Sequence, residues 1–249
     1  MTTIKKIFVK TRSNHRSFPI RSQYPKALVF LFLVLSGLAR GQNDTIQKSP
    51  AKSRLNDTLI LQLYNIDLAD QQYRNQMEPV RKKYGPNSKE LAGLLKKMQQ
   101  ADSVNILKVT ALIDKYGWLG PDIVGRDGNT TLFMVIQHSD LNIQEKYLPL
   151  MRQAVQTGDA NPASLALLED RVALRQGKKQ LYGSQLSWNT TTNEYYVLPL
   201  ENPDSVDIRR AEVGLGPLAD YIMDCCHLTW NVEQYKKDLP KLETLQKTK

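Results

Sequence analysis

Residues 56–98 read NDTLILQLYNIDLADQQYRNQMEPVRKKYGPNSKELAGLLKKM, and this stretch decides the fold. After the cap-forming cluster Asn56-Asp57-Thr58, apolar side chains recur in helical steps at Leu59, Leu63, Ile66, Tyr73, Met77, Val80 and Tyr84. The segment from Gly85 to Ser88 stops this helix and caps the next. A second apolar series follows at Leu91, Leu94, Leu95, Met98, Leu107, Val109, Leu112 and Ile113. Two long helices joined by a short turn predict an αα-hairpin.

The rest of the chain predicts a small helical body around this hairpin. Residues 116–128 hold four glycines and one proline, which indicates a loop rather than a regular element. Further helices are predicted from Asn129 to about Gln137, over 142–157, from Pro162 to about Gly177, over 205–212 and from Pro217. The runs 181–188 and 195–200 suit two strands around a polar turn. We therefore predict a mainly α (α+β) fold, in which the αα-hairpin packs on a compact helical domain with one small β-hairpin. This single domain covers residues 55–235, and a lysine-rich end over 236–249 is predicted to fray.

The N-terminal segment has the pattern of a signal peptide. Seven lysines and arginines precede an apolar run over 27–39, which at 13 residues is shorter than the roughly 20 that span a membrane. Ala39 and Gly41 place small residues where signal peptidase requires them, so residues 1–41 are predicted to be removed and 42–54 to form a flexible tether. We expect an exported protein, periplasmic or extracellular, with no membrane span after cleavage. In the alternative, the leader is not cleaved and stays as an anchor, because its basic segment is long.

The leader also changes the meaning of the net charge. Eight of the 34 basic residues and none of the 25 acidic residues lie in positions 1–41, so the remaining chain carries 26 minus 25, or +1. Because a nucleic-acid-binding domain needs its basic residues in the folded part, we expect no nucleic-acid partner.

Small motifs between Tyr116 and Glu212 resemble a known family. They include Tyr116-Gly117-Trp118, Gln137-His138-Ser139-Asp140, Asp170-Arg171-Val172, Gln180-Leu181-Tyr182-Gly183-Ser184-Gln185 and Arg209-Arg210-Ala211-Glu212. Over about residues 100–224 their order resembles the mainly bacterial family called domain of unknown function 6624. This resemblance implies no reaction, cofactor or residue role.

His138 and Asp170 are the candidate catalytic residues. An imidazole titrates near neutrality, and Asp140 could orient it if the chain turns at Ser139; alternatively, His138 is a buried structural histidine. Asp170 lies on a helix with a buried stripe and needs a partner, which Arg209 or Arg210 could provide in a structural network. In the alternative, one arginine faces a cleft and binds a carboxylate or phosphate.

The segment 180–185 is the densest polar motif. In a strand, Gln180, Tyr182 and Ser184 would share one face and offer amide, phenol and hydroxyl groups to a ligand, or the face would simply be solvated. We therefore predict a cleft of His138 and Asp170 as catalytic residues with Gln180, Tyr182, Gln185, Arg209 and Arg210 as substrate-binding residues.

Two functions fit this cleft. One is hydrolysis or group transfer on a small anionic substrate, with His138 as acid or base. The other is a non-catalytic envelope module that binds a ligand or partner, and a purely structural role for the motif remains a third reading. Adjacent Cys225-Cys226-His227 cannot supply a tetrahedral metal site, and no cofactor motif occurs, so we expect neither metal nor cofactor.

Overall fold

The computed structural model describes residues 55–189 and 194–247. The predicted leader (1–41) and tether (42–54) lie outside the described residues. Two antiparallel helices open the described part, α1 (Asp57–Tyr84) and α2 (Lys89–Tyr116). Asn56 Oδ1 accepts the N–H of Leu59 at 3.1 Å and Ser88 Oγ accepts the N–H of Leu91 at 3.2 Å, so each helix begins at a side-chain cap. The predicted αα-hairpin is confirmed.

The predicted loop over 116–128 is largely helical. Helix α3 runs over Pro121–His138, with non-helical backbone at Gly125, where φ is 70° and ψ is 171°. Pro121 occupies the first turn, where its missing N–H costs nothing, and Gly125 forms a kink. The breaker residues therefore start and bend a helix instead of preventing one.

Helices α4 (Leu141–Thr157) and α5 (Pro162–Arg175) complete the main core. The hairpin packs on α3, and α5 packs on α3 and α4. Apolar side chains from all five helices meet in one cluster that includes Leu63, Val109, Leu132, Ile136, Met151 and Leu168. Burying them supplies the main apolar stabilisation of the domain.

The β-hairpin is shorter than predicted. Strands β1 (Leu186–Asn189) and β2 (Glu194–Val197) pair antiparallel, with Leu186 opposite Val197. Residues 181–185 are not a strand, and Gln180 forms only an isolated parallel bridge with Leu200. The expectation that Gln180, Tyr182 and Ser184 share a strand face is therefore wrong. The chain instead turns through Gly183 at a φ of 69°, a left-handed conformation that glycine adopts readily.

Three helices close the fold: α6 (Val206–Glu212), after a 3₁₀ turn at Pro203–Ser205, α7 (Leu218–Cys226) and α8 (Val232–Lys247). With β2 they form a second, smaller core of Val197, Leu200, Val206, Leu218, Ile222 and Tyr235. The predicted frayed end over 236–249 is helical as far as Lys247, because Leu239 and Leu242 pack on this core and Lys179 pairs with Glu243 at 2.8 Å. No helix of the described part is both long enough and apolar enough to cross a membrane.

Candidate functional site

Asp170 organises the segment 180–185. Its carboxylate is fully buried and accepts backbone N–H groups from Leu181 at 2.7 Å, Tyr182 at 3.0 Å and Ser184 at 3.0 Å. Burial raises the pKa of Asp170, and the three backbone bonds oppose that rise. Neither Arg209 nor Arg210 pairs with this carboxylate, whose partners in the described part of the chain are the three backbone amides and the side chain of Ser184. The geometry supports a structural role for Asp170.

Gln180 closes the same segment from the other side. Its buried amide nitrogen donates to the carbonyls of Gln185 at 3.0 Å and Leu198 at 2.9 Å, and its oxygen accepts the N–H of Gln185 at 2.9 Å. Both amide N–H groups and one lone pair of the oxygen are used internally, and the side chain is fully buried, so it is not available to a ligand.

The two predicted arginines also bind backbone carbonyls. Arg209 donates to Leu181 at 2.7 Å and to Glu201 at 2.6 Å, while buried Arg210 donates to Gly216 at 2.6 Å and Tyr182 at 2.7 Å. Burial lowers the pKa of Arg210. Tyr182 thus takes part mainly through its backbone, between Asp170 and Arg210, and burial raises the pKa of its half-buried phenol.

The His138 ring hydrogen-bonds to none of the other predicted site residues in the described part of the chain, and it has a partner that we did not predict. Its Nδ1 lies 3.2 Å from Oδ2 of Asp70, a carboxylate whose side chain is only 2% exposed. Neither Asp140 nor Asp170 hydrogen-bonds to the ring within the described part of the chain. Asp70 is on α1 and His138 is the last residue of α3, so the packing of the hairpin on α3 forms the pair.

Asp70 is held by three further donors. Gln71 Nε2 donates to Asp70 Oδ2 at 2.7 Å, and Arg74 donates to the same carboxylate through Nε at 3.2 Å and Nη2 at 3.3 Å. Arg74 Nη2 also donates to Asp102 Oδ1 at 2.6 Å. Burial alone would raise the pKa of Asp70, but hydrogen bonds from His138 and Arg74 outweigh it and lower the pKa. Asp70 is therefore a carboxylate at neutral pH, and it can fix the orientation of the imidazole.

The sequence held a signal for Asp70. Leu59, Leu63, Ile66 and Asp70 follow one another at helical spacing, and all four are buried in α1. A carboxylate on the buried stripe of a helix requires a partner. That pattern identifies Asp70 as unusual, although it does not name His138.

A polar cavity of about 380 Å³ opens beside the pair. Its walls include Asp70, Asp102, Ser103, His138, Ser139 and Asp140. Because Asp70 occupies Nδ1, the second ring nitrogen, Nε2, is the one left for a ligand; within the described residues it has no hydrogen-bond partner. A ligand in this cavity would meet an imidazole whose tautomer is set by a buried carboxylate.

Gln185, predicted as a substrate-binding residue, links this region to the 180–185 segment. Gln185 Oε1 accepts a hydrogen bond from Nε–H of Arg171 at 3.0 Å, and Gln185 Nε2 donates to Ser184 Oγ at 2.9 Å. Arg171 in turn donates Nη1 to the carbonyl of Gln137 at 3.0 Å. Of the predicted substrate-binding residues, Gln185 is connected to His138 by this chain of contacts.

The adjacent cysteines lie at the end of α7. Their Sγ atoms are 2.8 Å apart, and Cys225 is exposed. Among residues 55–189 and 194–247, no group of three or more His, Cys, Asp or Glu side chains could hold a metal ion.

The fold and site define a class: a mainly helical domain in which an αα-hairpin supplies a buried carboxylate to a histidine beside a polar cavity. The chain matches the model of a family described as a family of unknown function (DUF6624) over residues 58–228, and it belongs to that family. The match confirms the resemblance and extends it from about residue 100 back into α1, where Asp70 and Arg74 lie. No curated protein and no solved structure matches the chain.

Proposed function

We propose that the protein is a hydrolase in which His138, oriented by Asp70, activates water against a small polar substrate. The observation that carries this proposal is the hydrogen bond between His138 Nδ1 and buried Asp70, beside a cavity of about 380 Å³. An imidazole held in this way can act as general base and then as general acid.

The proposed steps use only these side chains and water. Asp70 keeps the Nδ1 proton in place, so the lone pair of Nε2 accepts a proton as the water oxygen bonds to the electrophilic atom of the substrate. The bond to the leaving group breaks, and Nε2–H returns the proton to that group. Arg74 helps to keep Asp70 ionised during the cycle, because its hydrogen bond favours the carboxylate.

Water is favoured as the nucleophile over the two serines of the cavity wall. Ser139 Oγ donates to the carbonyl of Ile136 at 2.7 Å and Ser103 Oγ donates to the carbonyl of Gln99 at 2.9 Å. Neither hydroxyl is hydrogen-bonded to His138, which an activated serine requires. Group transfer would follow the same course with an alcohol in place of water.

Hydrolysis is tested with Asp70→Asn. The purified protein is screened against chromogenic carboxylic esters, phosphate esters, glycosides and amides, and we expect turnover of at least one class. Asparagine cannot hold the same tautomer, so the rate should fall about 100-fold or more. Asp67→Asn, which changes a half-buried carboxyl one turn earlier on α1, is the matched control and should keep the parental rate. Equal rates in the parent and Asp70→Asn would rule out the proposed role.

A non-catalytic envelope module is the second candidate. Leu61, Tyr64 and Leu68 are 61%, 56% and 51% exposed on the side of α1 away from the core, and catalysis gives them no role. If the protein is a binding module, we expect no turnover of any substrate class in the screen. A bound ligand should then raise the melting temperature of the parent and of Asp70→Asn by the same amount.

We also propose that the protein is exported. The support is the basic segment, the apolar run over 27–39 and the small residues Ala39 and Gly41. When the full chain is expressed in a bacterium, intact mass should show a product that begins at Gln42 in the envelope or medium. Leu33→Lys, which interrupts the apolar run, should leave an uncleaved chain in the cytoplasm. A parental product of full length in the cytoplasm would contradict export.

A further inference from the structure

Two arginines of α5 hold the backbone on both sides of His138. Arg171 donates Nη1 to the carbonyl of Gln137 at 3.0 Å, and Arg175 donates Nη1 to the carbonyl of Ser139 at 2.6 Å. Residues four apart on a helix lie on the same face, so the two guanidinium groups approach the end of α3 from one side. The histidine is thus bracketed by two positive charges.

These positive charges have no acidic partner. Arg171 contacts only neutral acceptors, the carbonyl of Gln137 and Oε1 of Gln185, and Arg175 contacts only the carbonyl of Ser139. In the described ranges, 55–189 and 194–247, no carboxylate lies within ion-pair distance of either guanidinium. By contrast, Arg74 meets both Asp70 and Asp102. The difference matters because a buried charge is costly without a counter-charge.

Arg171 carries most of this cost. Burial, followed by the like charges of Arg175 and Arg74, lowers its pKa to about 10. Arg171 nevertheless stays charged at neutral pH, in a position where it feels the positive charges of Arg175 and Arg74. Such an arrangement is typical of a site that receives an anion.

We infer that Arg171 and Arg175 bind an oxyanion, the carboxylate or phosphate group of the substrate, next to His138. The donors left for it are Nη2 of Arg171 and the Nε and Nη2 groups of Arg175, which make no hydrogen bond within the described residues. This inference rests on the proposed function in so far as the anion belongs to the molecule that His138 hydrolyses. Neither arginine is among the residues that line the cavity of about 380 Å³, and Arg175 lines a second cavity of about 750 Å³ with Lys179. The anionic end of the substrate would therefore lie on α5, outside the first cavity, while the bond to be broken faces Nε2.

Inorganic phosphate is the probe that tests the arginines. At constant ionic strength set with chloride, phosphate should bind to the purified protein in calorimetry and raise its melting temperature. Arg175→Gln should weaken phosphate binding at least about tenfold, since one charge-assisted contact is lost. Because Arg175 is exposed, this variant should fold even if Arg171→Gln does not. Arg152 lies on α4 and its guanidinium is already paired with Glu169, so the control variant Arg152→Gln should bind phosphate as the parent does.

His138→Asn separates this inference from the proposed hydrolysis. Phosphate binding that persists in His138→Asn and is lost in Arg175→Gln supports the anion site, whether or not any substrate is hydrolysed. Absence of phosphate binding in the parent, or equal binding in Arg175→Gln and Arg152→Gln, overturns the anion site even if hydrolysis depends on His138.

Discussion

Asp170→Ala is expected to lower the free energy of unfolding by about 3–5 kcal/mol, because it leaves several buried N–H groups without an acceptor. The carboxylate accepts N–H groups from Leu181, Tyr182 and Ser184, and it is the acceptor on which the 180–185 segment turns. Alanine would also leave a cavity at a position where the native side chain is fully buried.

Urea denaturation of the parent and the variant measures this loss. Glu169→Ala is the matched control, since Glu169 precedes Asp170 on α5 and forms an ion pair with Arg152, whose side chain is 53% exposed. That pair should be worth no more than about 1 kcal/mol. If Asp170→Ala cost no more than Glu169→Ala, the carboxylate would not be what holds the 180–185 segment to α5.

His138→Asn is expected to reduce hydrolysis about 100- to 10,000-fold, the range that one general acid–base group contributes. Most of the reduction should appear in kcat, because the proton transfer occurs in the transition state and not on substrate binding. Stability should change much less than in Asp170→Ala, since the His138 side chain is 15% exposed and an asparagine amide can still donate to Asp70.

The rate is measured by steady-state kinetics on whichever substrate class the screen identifies. His227→Asn provides the control, because His227 is exposed, ends α7 in a left-handed conformation that asparagine tolerates, and lies outside the cavity wall. If the two histidine variants kept equal activity, His138 would be a structural residue, as one reading of the sequence allowed.

Helices could be predicted from the sequence where one apolar stripe fixed them. The spacing of Leu59, Leu63 and Ile66 predicted α1, and Asn56 and Ser88 marked where helices begin. The helical start of α3 was missed because Pro121 occupies the first turn and Gly125 a kink, positions where these residues do not prevent a helix.

The candidate site was only partly predictable because its central contact is not local. His138 was identified by its chemistry, but Asp70 lies 68 residues away in sequence, and only the packing of α1 on α3 brings the two together. The segment 180–185 was misread for a similar reason. The conformation of this segment is set by its hydrogen bonds to the buried carboxylate of Asp170, which lies 11 residues before Leu181. The alternation of residues used to predict a strand carries no information about that contact.

Asp170 and Arg171 are neighbours in one turn of α5, yet they reach in different directions. Asp170 binds the amides of the 180–185 segment and Arg171 binds the carbonyl that precedes His138. Any fluctuation that unwinds this turn would release both at once. Amide protons of Leu181, Tyr182 and Ser184 would then exchange with solvent in the same opening events that free the histidine, so the segment and the site would form one cooperative unit.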